Sequence, residues 1–439
     1  MLNTLTLTLL LLPQQPIQQK VASMRAEITA ARLEHTIRAL VACGTRHVAS
    51  SPDGATRAKA GALDFLEAEA RACIAGSGGR LTVERKSYEV FAQRLGKSVT
   101  VTNVVATLRG TSDPERIYVL GGHYDSINSN PRDAAGVAPG ANDDGSGTAA
   151  VLEALRVMAG REFAATILFC CYDAEEMGLL GSTAHAEELA KAGARIDGMI
   201  TNDICGNTLG MDGKRHDAWM RCFSYSPRGN DGPGRSFARA AAYAQRTHVP
   251  DLEVRLVLRG DRFGRGGDHR PFANQGFPAL RFSEAREDFS RQHQNVTERD
   301  GKPYGDLPEF VDHGYLARLC AVDVATLAEV ASAPPPPAEV RVQGSRSSYD
   351  TTVSWPASAA GHEIVWRLTT ASDWEHAVAG SPIAGLGRLS QVLPGVCIDD
   401  VVIGVRALGK DGSRSRTTTP AEPDAFDQRP APASRRSDR

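Results

Sequence analysis

Apolar residues follow two rhythms along the first three quarters of this chain. Ile28, Leu33, Ile37, Leu40 and Val41 recur at helical spacing and predict a helix over residues 24–43. A second pattern of the same kind covers residues 55–73. Residues 81–90 and 98–108 alternate in polarity or carry β-branched side chains, which predicts strands. From there short apolar blocks and helical patterns take turns. Strands are expected at 117–120, 166–172, 198–202, 252–258 and 279–282, and helices at 149–158, 180–191, 236–247 and 310–330. Strands that are apolar at successive positions are covered on both sides. The prediction is an α/β fold, a central and mostly parallel sheet with helices on both faces.

The texture changes at the four prolines Pro334 to Pro337, which favour a stiff, extended linker. Beyond them, short β patterns at 339–342, 351–355, 362–368 and 401–407 are separated by turn residues and predict a small all-β sandwich. The stretches around Trp355, Trp366 and Val405 resemble a fibronectin type III domain. The expected organisation is a possible leader over 1–23, an α/β domain over 24–332, a Pro-rich linker over 333–338, the sandwich over 339–420 and a disordered tail over 421–439. The sandwich is read as a surface for binding a protein or a carbohydrate.

Composition removes some functions. The 50 basic residues nearly balance the 52 acidic ones, for a net charge of -2, so no nucleic acid or membrane surface is implied as a partner. Residues 1–12 are apolar but too few to span a bilayer. They fit the apolar part of a signal peptide, although no Lys or Arg precedes them, and a secreted or periplasmic location is the expectation. No later stretch reads as a membrane span. None of the eight cysteines forms a Cys-x-x-Cys pair, which argues against a zinc knuckle or a thioredoxin-like site. Cys205 and Cys222 could bridge in an oxidising compartment.

The chemistry gathers at strand ends. Gly121-Gly-His-Tyr-Asp125 follows a predicted strand, and alternation points His123 and Asp125 the same way. A carboxylate so placed can hold the tautomer of a metal-binding imidazole. Asp143 lies in the glycine-flanked turn Gly140-Ala-Asn-Asp-Asp-Gly-Ser-Gly147, just ahead of a helix. Another buried strand runs into Glu175 and Glu176, which could divide cation binding and proton handling, or could simply decorate a helix N-terminus. Asp203 ends a further strand, and His293 and the pair Asp268-His269 lie in polar loops. Open α/β sheets bind ligands beyond the carboxyl ends of their strands, where the first three groups sit.

Taken together and in this order, these motifs resemble the zinc aminopeptidase-like metallopeptidases of family M28, over roughly residues 80–330. The resemblance implies their fold and two zinc ions per chain. It implies that His123 and Asp203 bind one zinc, that Glu176 and His293 bind the other, and that Asp143 bridges them. Glu175 would be the general base and Asp125 the residue that orients His123. The surroundings of His293, Gln292-His293-Gln294, depart from the family's usual run, so His269 stands as a competing ligand.

Elementary electrostatics agrees with such a ligand set. Two dications about 3.5 Å apart repel by roughly 19 kcal/mol at an effective dielectric of about 20, so a bridging anion is required. The expected activity is hydrolysis of peptide bonds, with N-terminal residues released from peptide or protein substrates. The alternatives are a single-zinc glutaminyl cyclase, a carboxypeptidase that uses Arg281 and Arg286 for a terminal carboxylate, and an inactive binding homologue.

Overall fold

The computed structural model describes residues 16–51, 57–226, 231–345, 347–385 and 387–420. The chain opens with two helices where the periodicity predicts one, α1 (Ile17–Glu27) and α2 (Ala30–Val41). The break is local chemistry: Ile28 is extended, and the Thr29 side chain accepts the Arg32 N–H and caps α2. Helix α1 buries Ile17, Val21 and Met24, so it begins inside the segment read as a possible leader. The apolar run 1–12 lies outside the described residues. Helix α3 (Ala58–Ala72) falls within the second helical pattern.

Strands β1 (Leu81–Ala92) and β2 (Lys97–Leu108) form an antiparallel hairpin on one side of the main sheet. There follow β3 (Asp113–His123), α4 (Gly145–Met158), β4 (Ala165–Tyr172), α5 (Leu180–Lys191), β5 (Arg195–Asn202), β6 (Trp219–Ser224), α6 (Pro233–His248), β7 (Glu253–Val257), α7 (His269–Asn274) and β8 (Ala279–Glu284). The small hairpin of β9 (Thr297–Arg299) and β10 (Lys302–Tyr304) precedes the long helix α8 (His313–Ser332). The eight strands lie in the order β1-β2-β4-β3-β5-β8-β6-β7. The four strands β4-β3-β5-β8 run parallel, as does β6 with β7, while β1–β2, β2–β4 and β6–β8 are antiparallel.

Two of these elements carry weak sequence signals. Arg221 interrupts the apolar run of β6, and α7 is too short for its period to register. The expected cover on both faces is present. Along β3, Tyr118 and Leu120 join the core that contains α4, α6 and α8, whereas Val119 joins a separate core with Ala186 of α5 and Phe272 of α7. Because β3, β4 and β5 are parallel, His123, the turn after Tyr172 and Asp203 all emerge at one end of the sheet.

Among the described residues the chain separates into two compact units. The first runs to Pro335 and takes back Leu408–Arg416; the second is Pro336–Ala407 with the residues from Thr417. The expected sandwich range of 339–420 therefore gives up nine residues in the middle of its last part. The second unit holds β11 (Arg341–Gly344), β12 (Thr351–Pro356), β13 (Gly361–Leu368), β14 (His376–Ala379), β15 (Ile383–Gly385), β16 (Arg388–Leu393) and β17 (Val401–Leu408), the last crossing into the first unit by one residue. Sheets of order β11-β12-β16-β15 and β14-β13-β17 enclose Val353, Trp355, Ile364, Ile403 and Val405. Strands β14 and β15 leave most side chains in solvent and so show no alternation to read. All eight cysteines are free, Cys205 and Cys222 included. No helix among the described residues is long and apolar enough to cross a membrane.

Candidate metal centre

The site begins with an unusually close approach of backbone. A Cβ on Gly122 would lie 2.7 Å from the Gly147 carbonyl carbon, so only glycine lets β3 meet the first turn of α4. Asp144 joins the two elements there. Its Oδ1 accepts the Gly147 N–H at 2.9 Å, capping α4, and its Oδ2 accepts the His123 N–H at 3.0 Å. The backbone of the preceding turn is held by Asp306, whose two oxygens accept the N–H groups of Asn142 (2.8 Å) and Asp143 (2.7 Å). The buried guanidinium of Arg46 donates to the carbonyl oxygens of Tyr124, Pro139 and Gly140, tying the His123 strand end to that turn. Asp144 could have been read from its place just before a helix. Nothing local in the sequence marks Asp306 or Arg46.

The five ligand candidates converge. Asp143 Oδ1 lies 3.2 Å from His123 Nε2. Its Oδ2 lies 3.0 Å from His293 Nε2, which is also 2.7 Å from Glu176 Oε1. Asp203 Oδ1 is 4.0 Å from His123 Nε2. Potential ligand atoms of His123, Asp143 and Glu176 all fall within 4.8 Å of one another, as do those of His123, Glu175 and Asp203. His123, Asp143, Glu176 and Asp203 are buried, while the side chain of His293 is 34% exposed. His293 adopts a left-handed backbone conformation with φ 54°, uncommon outside glycine and concentrated at functional sites.

Asp125 organises the far side. Its two oxygens accept the N–H groups of Glu175 (3.0 Å) and Glu176 (3.2 Å). His123 Nδ1 lies 3.2 Å from the Asp125 carbonyl oxygen and 3.4 Å from its Oδ1, two acceptors that favour a proton on Nδ1, and Nε2 faces Asp143 and Asp203. Glu175 and Glu176 sit in a turn between Ala174 (φ 58°) and Leu179 (φ 62°), and α5 starts only at Leu180. They do not decorate a helix N-terminus.

His269 is elsewhere. Its Nε2 is 2.7 Å from the Gly260 carbonyl oxygen and 3.8 Å from Asp261, and burial lowers its pKa to about 4. Placement separates the two histidines: His293 reaches the cluster and His269 does not. Arg281, considered above for a substrate's terminal carboxylate, is fully buried with Nη2 2.9 Å from Asp203 Oδ1. Arg286 is exposed.

Electrostatically the chain alone is overloaded with acid. Burial pushes the Glu175 carboxyl well above its ordinary value, and Asp203 and Glu176 add to the shift. Burial disfavours the charged form of His293, yet Glu176 and Asp143 outweigh it and raise its pKa to about 11. Glu176 Oε1 and His293 Nε2 are buried and close, but neither has a hydrogen-bond partner. Without metal such a pair holds a proton; a cation can take the proton's place, and nitrogen with carboxylate oxygen is the donor set that zinc accepts.

Residues 103–304 match the model of peptidase family M28. A probable zinc metalloprotease of Leptosphaeria maculans is 36% identical over 424 residues, which are 92% of this chain and 97% of that protein. The chain belongs to peptidase family M28. A second probable zinc metalloprotease, from Pyricularia oryzae, is 39% identical over 90% of this M28 peptidase and 83% of its own length. Among solved structures, the LapA aminopeptidase of Legionella pneumophila shares the fold with a TM-score of 0.54 at 18% identity, over 73% of this chain and 77% of that one. An aminopeptidase from Aneurinibacillus sp. strain AM-1 has a TM-score of 0.50 at 17% identity, over 70% and 95%. The matched stretch of the M28 peptidase contains His123, Asp125, Asp143, Glu175, Glu176, Asp203 and His293.

Proposed function

We propose that this chain is a dinuclear zinc aminopeptidase. One observation carries the reading: the two oxygens of Asp143 face two different histidines, His123 at 3.2 Å and His293 at 3.0 Å. A carboxylate shared in that way suits two cations better than one. His123 and Asp203 would hold one zinc, Glu176 and His293 the other, with Asp143 between them. Bound zinc would lower the pKa of water toward about 7 and polarise a carbonyl.

The remaining chemistry belongs to the chain. Glu175 lies among these groups without being needed as a ligand, so its carboxylate is free to take a proton from the attacking water and return it to the departing amine. Asp125 keeps His123 in one tautomer and fixes the Glu175–Glu176 backbone, so that ligand and base stay in register. The names of the zinc-protease relatives and the fold shared with aminopeptidases support the substrate class. The second unit is read as a fibronectin type III-like sandwich, on its two sheets packed around Trp355.

The test is a panel of amino-acid anilides, free and N-blocked, with and without a chelator. Aminopeptidase action predicts turnover of the free forms only, abolished by chelation and restored by zinc. Cleavage of the blocked forms refutes N-terminal specificity. Metal analysis of Asp143→Asn adds an independent check: zinc should fall toward one or none per chain, and two tightly held ions would refute bridging.

A further inference from the structure

Behind the centre runs a line of alternating charges that the mechanism does not use. Gln292, one residue before His293, donates to Glu287 Oε2 at 3.1 Å. Glu287 Oε2 also pairs with Arg262 Nη1 at 2.7 Å, and its Oε1 with Arg221 Nη2 at 2.7 Å. Arg262 Nε lies 3.2 Å from Asp261 Oδ1. Asp261 Oδ2 lies 3.1 Å from Arg281 Nη1, and Arg281 Nη2 lies 2.9 Å from Asp203 Oδ1. The side chains of Glu287 and Asp261 are 3% exposed and that of Arg281 is fully buried. The line thus connects the loop of His293 to Asp203.

Arg281 makes the last link with three of its nitrogens. Nε donates to the carbonyl oxygen of Asp203, Nη1 donates to the Gly266 carbonyl at 2.7 Å besides Asp261, and Nη2 faces the Asp203 carboxylate. One rigid plane therefore grips the backbone of Asp203 by a hydrogen bond and its carboxylate by charge. A lysine offers a single point of charge and cannot reproduce that grip. The backbone at Gly267 packs against both partners: a Cβ there would sit 3.1 Å from Asp203 Oδ2 and 3.3 Å from Arg281 Nη1. Asp203 has little freedom left while Arg281 stays in place.

We propose that Arg281 is a positioning residue of the metal centre, orienting the Asp203 carboxylate toward His123, and that the Asp261–Arg262–Glu287 line holds Arg281 in register with the loop of His293. The inference rests on the two-metal reading above. Removing a group that supports a metal ligand costs about 10- to 100-fold in affinity. The cost should fall on the position shared by His123 and Asp203, and leave the Glu176–His293 position nearly untouched.

The experiment is titration of the metal-free full chain with Co²⁺, read by visible absorption, for the wild type, Arg281→Met and Arg281→Lys, with circular dichroism as a check of folding. Arg281→Met is expected to bind one equivalent as the wild type does. The second should bind about 10- to 100-fold more weakly with an altered spectrum. Arg281→Lys should fold at least as well and recover part of the loss. Two equivalents with wild-type affinity and spectrum in both variants overturn the proposal, and so does equal weakening of both equivalents. A wild type that binds a single equivalent overturns the two-metal reading instead. In that case Arg281 is judged by whether its replacement alters the affinity and spectrum of that one ion.

Discussion

Replacing Asp125 with Asn tests the link between the first histidine and the acidic turn. In the native chain Oδ1 and Oδ2 each accept one buried N–H, from Glu175 and Glu176, and Oδ1 also faces His123 Nδ1. Asparagine has the same shape but a single acceptor oxygen. Whichever way the amide turns, its NH₂ faces a backbone N–H. A hydrogen bond to a charged acceptor is worth about 1.5–3 kcal/mol, and a buried donor left unmade costs about 1–3 kcal/mol. The metal-free protein should therefore lose roughly 2.5–6 kcal/mol, a large part of the usual 5–15 kcal/mol of native stability. The His123 tautomer is loosened at the same time, which should weaken metal binding by about 10- to 100-fold. Urea denaturation of the metal-free chain measures the first effect, and zinc titration against a competing chelator measures the second. A variant that unfolds within about 0.5 kcal/mol of the wild type and holds zinc equally well would mean that these contacts do not support the site.

Three further outcomes are expected. Glu175→Gln should retain zinc by metal analysis and lose most turnover; full activity removes the general base. His293→Ala should lose metal while His269→Ala keeps it, and the reverse would place the last ligand on the wrong loop. His185 is buried against Tyr172 and Phe272, and burial lowers its pKa from 6.5 to about 4. Below pH 6.5 the unfolded chain binds a proton that the native imidazole refuses, so this residue should withdraw about 3 kcal/mol of stability as pH falls toward 4. Denaturation midpoints of wild type and His185→Gln across that window check it: the wild type should lose more, and parallel curves would refute the assignment.

What the sequence disclosed follows from where information is local. Buried parallel strands write themselves as apolar blocks, so β3, β4, β5 and β8 were legible together with the acids at their ends. Alternation along Gly121-Gly-His-Tyr-Asp125 pointed His123 and Asp125 the same way, and the two do meet. The supports of the site were not legible, because each is long-range. Asp306 serves a turn 163 residues earlier, and Arg46 reaches 94 residues ahead to Gly140. Nothing local marks Arg281 as a buried support, because its partners Asp203 and Asp261 come next to it only in the folded chain. The helix break at Thr29 is the opposite case, a capping residue overruled by an apolar period that continued through it.

The return of Leu408–Arg416 bears on how the protein can be divided. The Asp411 carbonyl accepts the N–H of Ile17, the first residue of α1, at 2.9 Å, and the Arg414 N–H reaches Glu329 of α8 at 2.9 Å. Glu329 is itself buried against His248 at 2.7 Å. A shortened version ending at the prolines would strip hydrogen-bond partners from both ends of the hydrolase. No single cut in the polypeptide frees it whole, because the segment that completes it returns only after the second unit's strands.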